Sequence, residues 1–244
     1  MSALLRAELR KLRFTRSLWA VPVAGVVFSV VVSGLVIALF KEEDLAARLS
    51  EHGPLRFGPA NVGLILLVFG IRMFGDEARH HTLPSTYVAT PRRVRVLAAK
   101  AVVTGAVPLL FCALVFLLVV PITLVGVAAR NLPMTVDVAD TAALLARSGA
   151  AMALMALLGL ALAAAVRNRA VVLVAAVVWI ALAEDLVGAL IKSRELLPAA
   201  AVRALVSGSG GADALSTLPA ALTLTGLVAV AFGIAATSVR RDVS

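Results

Sequence analysis

The chain has 244 residues, of which 61% are hydrophobic and 15% are charged, and its formal net charge is +9 at pH 7. Soluble domains hold about 45–50% apolar and about 25% charged residues, so this composition excludes an ordinary water-soluble fold. The apolar residues are collected into long runs nearly free of charge, which is typical of membrane-spanning helices. Basic residues stand at the ends of those runs, as membrane topology predicts, and no basic tract interleaved with aromatic residues indicates nucleic-acid binding.

An amphipathic helix is predicted at residues 4–16, with leucines on one stripe and arginines on the neighbouring one. Such a helix lies in the membrane interface with its arginines toward anionic headgroups; a basic flank that only sets orientation is the alternative. The first span follows at 18–40 and is too long for the core of a signal peptide, so we expect it to stay in the protein. Gly25, Ser29 and Ser33 stand four residues apart along it and allow another helix to approach closely. They predict a helix-packing face, either within one subunit or between two.

Five further spans are predicted, and both chain ends are expected in the cytoplasm. With this orientation most of the 23 lysines and arginines lie on the cytoplasmic side, which agrees with the positive-inside rule. The half-apolar stretch 196–206 is too short to cross the membrane and predicts an interfacial or re-entrant helix before the last span. The whole chain is thus predicted to form one all-α transmembrane domain. The five further spans are expected at 59–75, 97–129, 141–166, 170–191 and 219–238.

The sequence carries no recognisable catalytic motif. It has no phosphate-binding G-x-x-x-x-G-K-[ST], and it also lacks G-x-S-x-G, H-E-x-x-H and C-x-x-C. Its three histidines are His52, His80 and His81, which gives little basis for a multi-histidine metal site. Its one cysteine, Cys112, lies inside an apolar run and is expected to be a buried packing residue. We therefore expect no catalytic residue, metal or cofactor in this chain.

Acidic residues interrupt the predicted fifth span at Glu184 and Asp185. Charged residues are costly in lipid and usually face a bundle interior, a cavity or a partner. Counted from the turn at 167–169 at about 1.5 Å per residue, Glu184 and Arg147 of the fourth span differ in depth by about one helical turn. We therefore expect an intramembrane ion pair between these two residues. Contact of the acidic residues with a cationic substrate is the alternative.

The loop after the second span carries the most informative pattern. It reads Asp-Glu-Ala-Arg-His-His-Thr from residue 76 and Thr-Pro-Arg-Arg-Val-Arg-Val-Leu-Ala-Ala-Lys from residue 90. This loop resembles the first cytoplasmic loop of type-2 ABC exporter permeases (the ABC-2 family), which often reads close to E-Y-R-H-G-T and then T-P-x-R-x-R-V-x-x-A-K. Ala78 replaces the aromatic residue of that pattern, and His81 replaces its glycine. Residues 7–19, and a fifth-span glutamate followed by Leu-Pro-x-x-Ala, are also similar to the family.

The resemblance implies a permease subunit in a bacterial plasma membrane that exports a lipophilic or amphipathic compound. It implies two copies of a separate ABC ATPase and a second permease subunit, identical or related, as partners. ATP and Mg²⁺ would bind to the ATPase, so the chain itself is not expected to be an enzyme. A polytopic membrane enzyme, and an immunity or regulatory membrane protein without transport, are the alternatives.

In the ABC-2 family the loop after the second span docks on the ATPase as a coupling helix. The resemblance therefore assigns ATPase coupling here to one acidic residue and to several basic and turn-forming ones. For the arginines at 92, 93 and 95, a role that only fixes membrane topology is the alternative. The assigned residues are Glu77, Arg79, His80, Thr82, Pro91, Arg92, Arg93 and Arg95.

Overall fold

The computed structural model of the protein describes residues 2–41, 53–79, 93–132, 137–166, 168–179, 184–190, 197–207 and 217–240. Within these ranges the chain forms α-helices and no β-strand, which confirms the predicted all-α class. The helices are α1 (Ser2–Phe14), α2 (Arg16–Leu39), α3 (Gly53–Arg79), α4 (Arg93–Ala129), α5 (Val138–Val166), α6 (Arg169–Val178), α7 (Glu184–Leu190), α8 (Pro198–Ser207) and α9 (Thr217–Arg240).

Four of the described helices, α2, α4, α5 and α9, are long and apolar enough to cross a membrane. The predicted membrane character of the chain is thereby confirmed. The predicted second span, 59–75, lies inside the longer α3. The predicted fifth span, 170–191, is described as two separate helices, α6 and α7. The predicted short helix at 196–206 corresponds to α8, which begins at a proline, a residue well suited to the first turn of a helix.

Helix α5 lies at the centre of the bundle. Of its most apolar stretch, 61% is buried, compared with 28–33% for the other three candidate spans. Its largest contact is with α3, and α9 and α4 pack on its other sides. At the α3–α5 contact, a Cβ atom at Gly70 would overlap the carbonyl oxygen of Ala156, and one at Gly159 would overlap that of Leu67. The two backbones therefore touch directly, which small residues allow in membrane helices.

The predicted packing face of α2 is buried inside the chain. Ser29 and Ser33 are 0% and 1% exposed. A Cβ atom at Gly25 would lie 3.1 Å from Cγ1 of Val62 on α3. Gly25, Ser29 and Ser33 thus pack within one subunit, and the exposed side of α2 carries larger apolar residues such as Val27 instead.

The last turn of α2 meets the end of α4 at one end of the bundle. The guanidinium of Arg130, just after α4, donates hydrogen bonds to the carbonyl oxygens of Phe40 and Ala38, both over 2.7 Å. The last carbonyls of a helix have no partner within the helix, so Arg130 supplies one from a neighbouring element. This contact places the end of α2 and the end of α4 at the same end of the bundle.

Candidate functional site: a buried charge cluster and an apolar cavity

Four charged side chains join three helices at the opposite end of the bundle from Arg130. They are Glu8 and Lys11 of α1, Glu77 of α3 and Lys100 of α4, and we term them the charge cluster. The ammonium nitrogen of Lys100 lies 2.8 Å from Oε2 of Glu8 and 2.6 Å from Oε1 of Glu77. That of Lys11 lies 3.1 Å from Oε1 of Glu8 and 3.2 Å from Oε1 of Glu77. Each carboxylate therefore contacts both ammonium groups.

The charge cluster is largely buried. The side chains of Lys100 and Glu8 are 0% and 2% exposed, that of Glu77 is 16% exposed, and that of Lys11 is 40% exposed. Removing a charge from water costs several kcal/mol, and only close opposite charges offset this cost. With two carboxylates and two ammonium groups in mutual contact, the cluster keeps its charges compensated inside the protein.

The most exposed member of the cluster, Lys11, has a raised pKa. Burial lowers the pKa of its ammonium group, but the negative charges of Glu77 and Glu8 and the hydrogen bonds to both outweigh burial. Together they raise the pKa of Lys11 above its ordinary value of 10.5. Lys11 is therefore firmly protonated at neutral pH and contributes a full positive charge to the cluster.

The position of the cluster in the chain connects it to the predicted coupling loop. Glu77 stands in the last turn of α3, just before that loop, and Lys100 stands in the second turn of α4, just after it. The ion pair between them joins the two ends of the loop to one another. Glu8 and Lys11, one helical turn apart on a single face of α1, join both ends to α1.

Two further ion pairs, which share Asp76, lie beside the cluster. The carboxylate of Asp76 contacts the guanidinium groups of Arg72, at 3.4 Å, and of Arg169, at the start of α6. Gly75 leaves room for this approach, since a Cβ atom there would lie 2.8 Å from Cβ of Arg169. The side chain of Asn168 accepts hydrogen bonds from two backbone N–H groups in the first turn of α6, at 3.1 and 3.3 Å. This N-cap ends the short turn after α5 and fixes the position of Arg169.

Helix α1 and the end of α9 both lie at the end of the bundle that holds the charge cluster. The indole of Trp19 donates a hydrogen bond to the carbonyl oxygen of Leu12 over 2.9 Å, which ties the start of α2 to the last turn of α1. The hydroxyl of Ser238 donates to the carbonyl oxygen of Ala165 over 3.1 Å, which ties the end of α9 to the end of α5. Because Arg169 follows α5 and contacts Asp76, the ends of α5 and α9 lie beside the charge cluster.

Some of the residues predicted for ATPase coupling can be placed in this arrangement. Glu77 belongs to the charge cluster, Arg93 is half-buried and Arg95 is exposed. Arg79 is the last residue of α3, and only its backbone is described. The remaining predicted coupling residues, His80, Thr82, Pro91 and Arg92, lie outside the described residues.

The structure does not form the predicted ion pair between Arg147 and Glu184. Instead, Oε1 of Glu184 accepts a hydrogen bond from the backbone N–H of Ala200 over 2.9 Å. Nε of Arg147 is buried and has no hydrogen-bond partner among the described residues. The donor, Ala200, stands in the first turn of α8, where backbone N–H groups have no partner within the helix. The side chain of Asp185 lies outside the described residues.

An apolar cavity of about 350 Å³ lies beside Glu184. Glu184 is 4% exposed, and its second oxygen, Oε2, is buried without a hydrogen-bond partner among the described residues. Trp179, which is 39% exposed, lines the same cavity, so one of its walls reaches the protein surface. The other walls come from α3, α5, α6, α8 and α9 and include Leu67, Leu158, Val172 and Leu227.

Sequence reasoning singled out neither Glu8 nor Lys100. Glu8 is the one acidic residue of an otherwise basic N-terminal segment, and Lys100 follows the arginines of the coupling loop into an apolar run. Both residues lie in segments that resemble the ABC-2 family, but neither was assigned a role at a site. Among the described residues, no group of three or more His, Cys, Asp or Glu side chains is placed to hold a metal ion.

No protein-family model matches the sequence, and no curated protein matches it. The assignment to a family therefore rests on the resemblance of the coupling loop and remains a proposal.

Proposed function

We propose that the chain is the permease subunit of a type-2 ABC exporter in a bacterial plasma membrane. It crosses the membrane six times, with both ends in the cytoplasm, and assembles with a second permease subunit. Two copies of a separate ABC ATPase bind ATP and Mg²⁺ and drive the export of a lipophilic or amphipathic compound. The permease itself hydrolyses nothing.

One observation carries this proposal: the ion pairs of Lys100 join both ends of the coupling loop to one another and to α1. Lys100 contacts Glu77 before the loop and Glu8 on α1. A displacement of the loop by a partner would therefore move the end of α3, the start of α4 and α1 together. This is the property that a docking loop requires if it is to transmit a conformational change to membrane helices.

The contacts between helix ends support six crossings. The four candidate spans are joined by α3 and by the pair α6 and α7, which makes an even number of passes. An even number agrees with the location of α1 and the end of α9 at the same end of the bundle. The basic residues of α1, of the start of α4 and of the start of α6 lie at this end, which the positive-inside rule assigns to the cytoplasm.

Affinity purification of the tagged chain from its own host in a mild detergent tests the proposal. We expect a stoichiometric ATPase with a P-loop to copurify, as identified by mass spectrometry. Replacing Arg79 and His80 together by alanine should remove the ATPase while leaving the yield and helical content of the permease unchanged. The matched control is Asp140→Asn, an exposed charge in the first turn of α5, at the other end of the bundle, and it should retain the ATPase.

A different outcome would point to another class of protein. If the chain is recovered alone in several detergents, and also after crosslinking in cells, the permease proposal fails. A membrane enzyme or a membrane protein of immunity or regulation would then be the better description. If the ATPase copurifies equally well with the variant at Arg79 and His80, the permease assignment stands but the docking role of the loop is lost.

A further inference from the structure

The described part of the chain compensates the carboxylate of Glu184 incompletely. One oxygen accepts the hydrogen bond from Ala200, whose N–H stands at the positive N-terminal end of α8. The other oxygen is buried without a partner among the described residues. Arg147, the basic residue that the sequence suggested as its partner, forms no ion pair with it. A negative charge in apolar surroundings is costly unless an opposite charge or hydrogen-bond donors compensate it.

The cavity beside Glu184 has the size and the chemistry of a small-molecule site. Its volume of about 350 Å³ falls at the lower end of the range of ligand pockets, which are mostly apolar and carry a few polar groups that fix orientation. Here the described lining side chains are aliphatic apart from the thioether of Met155, the indole of Trp179 and the carboxylate of Glu184. An indole face attracts cations as well as apolar groups.

We propose that this cavity binds a small amphipathic amine in its protonated form. The ammonium group of the ligand contacts Oε2 of Glu184 and supplies a positive charge that none of the described residues supplies there. The apolar or aromatic body of the ligand occupies the space between α3, α5 and α6, with Trp179 at its outer wall. The identification of such an amine as the exported compound rests on the proposed function, whereas its binding to the cavity does not.

Titration calorimetry on the purified chain in maltoside micelles tests the proposal. Three probes of matched size and different charge separate the contribution of the ligand's positive charge to the affinity from that of its apolar body. They are 3-phenylpropylamine, which is protonated at neutral pH, neutral 3-phenylpropanol and anionic 3-phenylpropanoate. We expect the amine to bind at least about tenfold more tightly than the alcohol, which corresponds to one hydrogen bond to a charged group. The acid should bind more weakly than both.

Glu184→Gln isolates the role of the charge. Glutamine keeps a side-chain oxygen for the N–H of Ala200, so the variant should fold, which its elution profile and helical content can verify. In this variant the affinity for the amine should fall to about that for the alcohol, and the affinity for the alcohol should stay within about twofold of wild type. Equal affinity of the amine for the wild type and for Glu184→Gln would overturn the proposal, as would an absence of amine binding to the wild type.

Ala176→Phe locates the site. Ala176 lines the cavity from α6, and a phenyl ring there would fill it and abolish binding of amine and alcohol alike. Amine binding that survives this change would show that the site lies elsewhere and would refute the assignment to the cavity. The calorimetry needs no ATPase, so its failure leaves the permease proposal standing, and a missing ATPase in the copurification leaves the calorimetric result standing.

Discussion

The ammonium nitrogen of Lys100 lies 2.8 Å from the carboxylate of Glu8, a residue 92 positions earlier in the chain, and both side chains are almost completely buried. Helix α1 is therefore attached to α4 by buried charges as well as by apolar contacts such as that of Leu12. Its detachment from the bundle would expose or separate charges that now compensate one another. We conclude that α1 is a fixed part of the helix bundle.

Removing the central charge of the cluster should strongly destabilise the protein. Lys100→Met leaves the carboxylates of Glu8 and Glu77 buried, and of the two ammonium groups of the charge cluster only that of Lys11 remains beside them. Removing one partner of a buried ion pair costs about 3–5 kcal/mol of unfolding free energy. The ammonium group of Lys11 should offset part of this loss. Unfolding by SDS titration, followed by circular dichroism, would measure the change.

The appropriate control removes the carboxylates as well. A triple variant with Lys100→Met, Glu8→Gln and Glu77→Gln contains no uncompensated buried carboxylate, so it should recover most of the lost free energy of unfolding. A Lys100→Met variant as stable as wild type would contradict the structural role of the cluster.

Lys11 should make a pH-dependent contribution to stability. Its pKa is raised in the folded state, so folding favours the protonated form. The stabilisation is fully present below the unfolded pKa of about 10.5 and is lost as the pH rises through the higher folded value. The difference in thermal stability between wild type and Lys11→Met should therefore be constant from pH 7 to pH 9 and shrink above about pH 10.5.

Lys11→Arg provides the control for this titration. A guanidinium group stays protonated at a higher pH than an ammonium group. The arginine variant should therefore still be thermally more stable than Lys11→Met at a pH where the wild type no longer is. If the wild type and the arginine variant lose stability in parallel with rising pH, titration of Lys11 is not the cause.

The contact between α3 and α5 should tolerate no side chain at its glycines. A methyl group at Gly70 or Gly159 would overlap a backbone carbonyl oxygen of the facing helix, and neither backbone can move without disturbing the core around it. We expect Gly70→Ala and Gly159→Ala each to cost more than about 3 kcal/mol, as severe overpacking does. The yield of monodisperse protein and its thermal unfolding in detergent would report this loss.

Two glycines of α9 serve as matched controls. A Cβ atom at Gly226 or Gly233 would have no described atom within 4 Å outside its own helix segment. Alanine has a higher helix propensity than glycine by about 1 kcal/mol, so these substitutions should be neutral or slightly stabilising. Equal behaviour of both pairs of variants would show that the close approach of α3 and α5 does not exist in the membrane.

The proposed orientation can be tested with introduced cysteines. Arg13 of α1 and Asp140 of α5 are both exposed and belong to opposite ends of the bundle, and the native Cys112 is 1% exposed. A membrane-impermeant maleimide should label Asp140→Cys in intact cells and Arg13→Cys only after lysis. The reverse pattern would place the charge cluster outside the cell and would remove the basis for ATPase docking.

Much of the fold could be predicted from the sequence, because long apolar runs in a basic chain have few alternatives to membrane helices. The stretches predicted around α2, α4, α5 and α9 all contain helices of the expected type. The predicted fifth span is described only as α6 and α7, and residues 180–183 between them lie outside the described residues. Its continuity therefore stays a prediction.

The candidate site was less predictable, for a physical reason. Lys100 and Glu8 each suit the general rule for charges at the ends of spans, and a single sequence contains no information on which charges meet across 92 positions. Conversely, the pairing of Arg147 with Glu184 was inferred from depth alone. In the structure, Glu184 accepts a hydrogen bond from a backbone N–H of α8 instead.

The direct backbone contact between α3 and α5 has a mechanical consequence. Two helices that interlock at Gly70 and Gly159 cannot slide past one another by even a single residue without driving side chains into a carbonyl group. They must therefore travel as one rigid body in any working cycle. Motion is left to elements that pack less closely on this pair, and α6, whose described residues are mostly exposed, is one of them. Because α6 forms one wall of the cavity beside Glu184, its displacement would change the shape of that cavity while the α3–α5 pair stayed fixed.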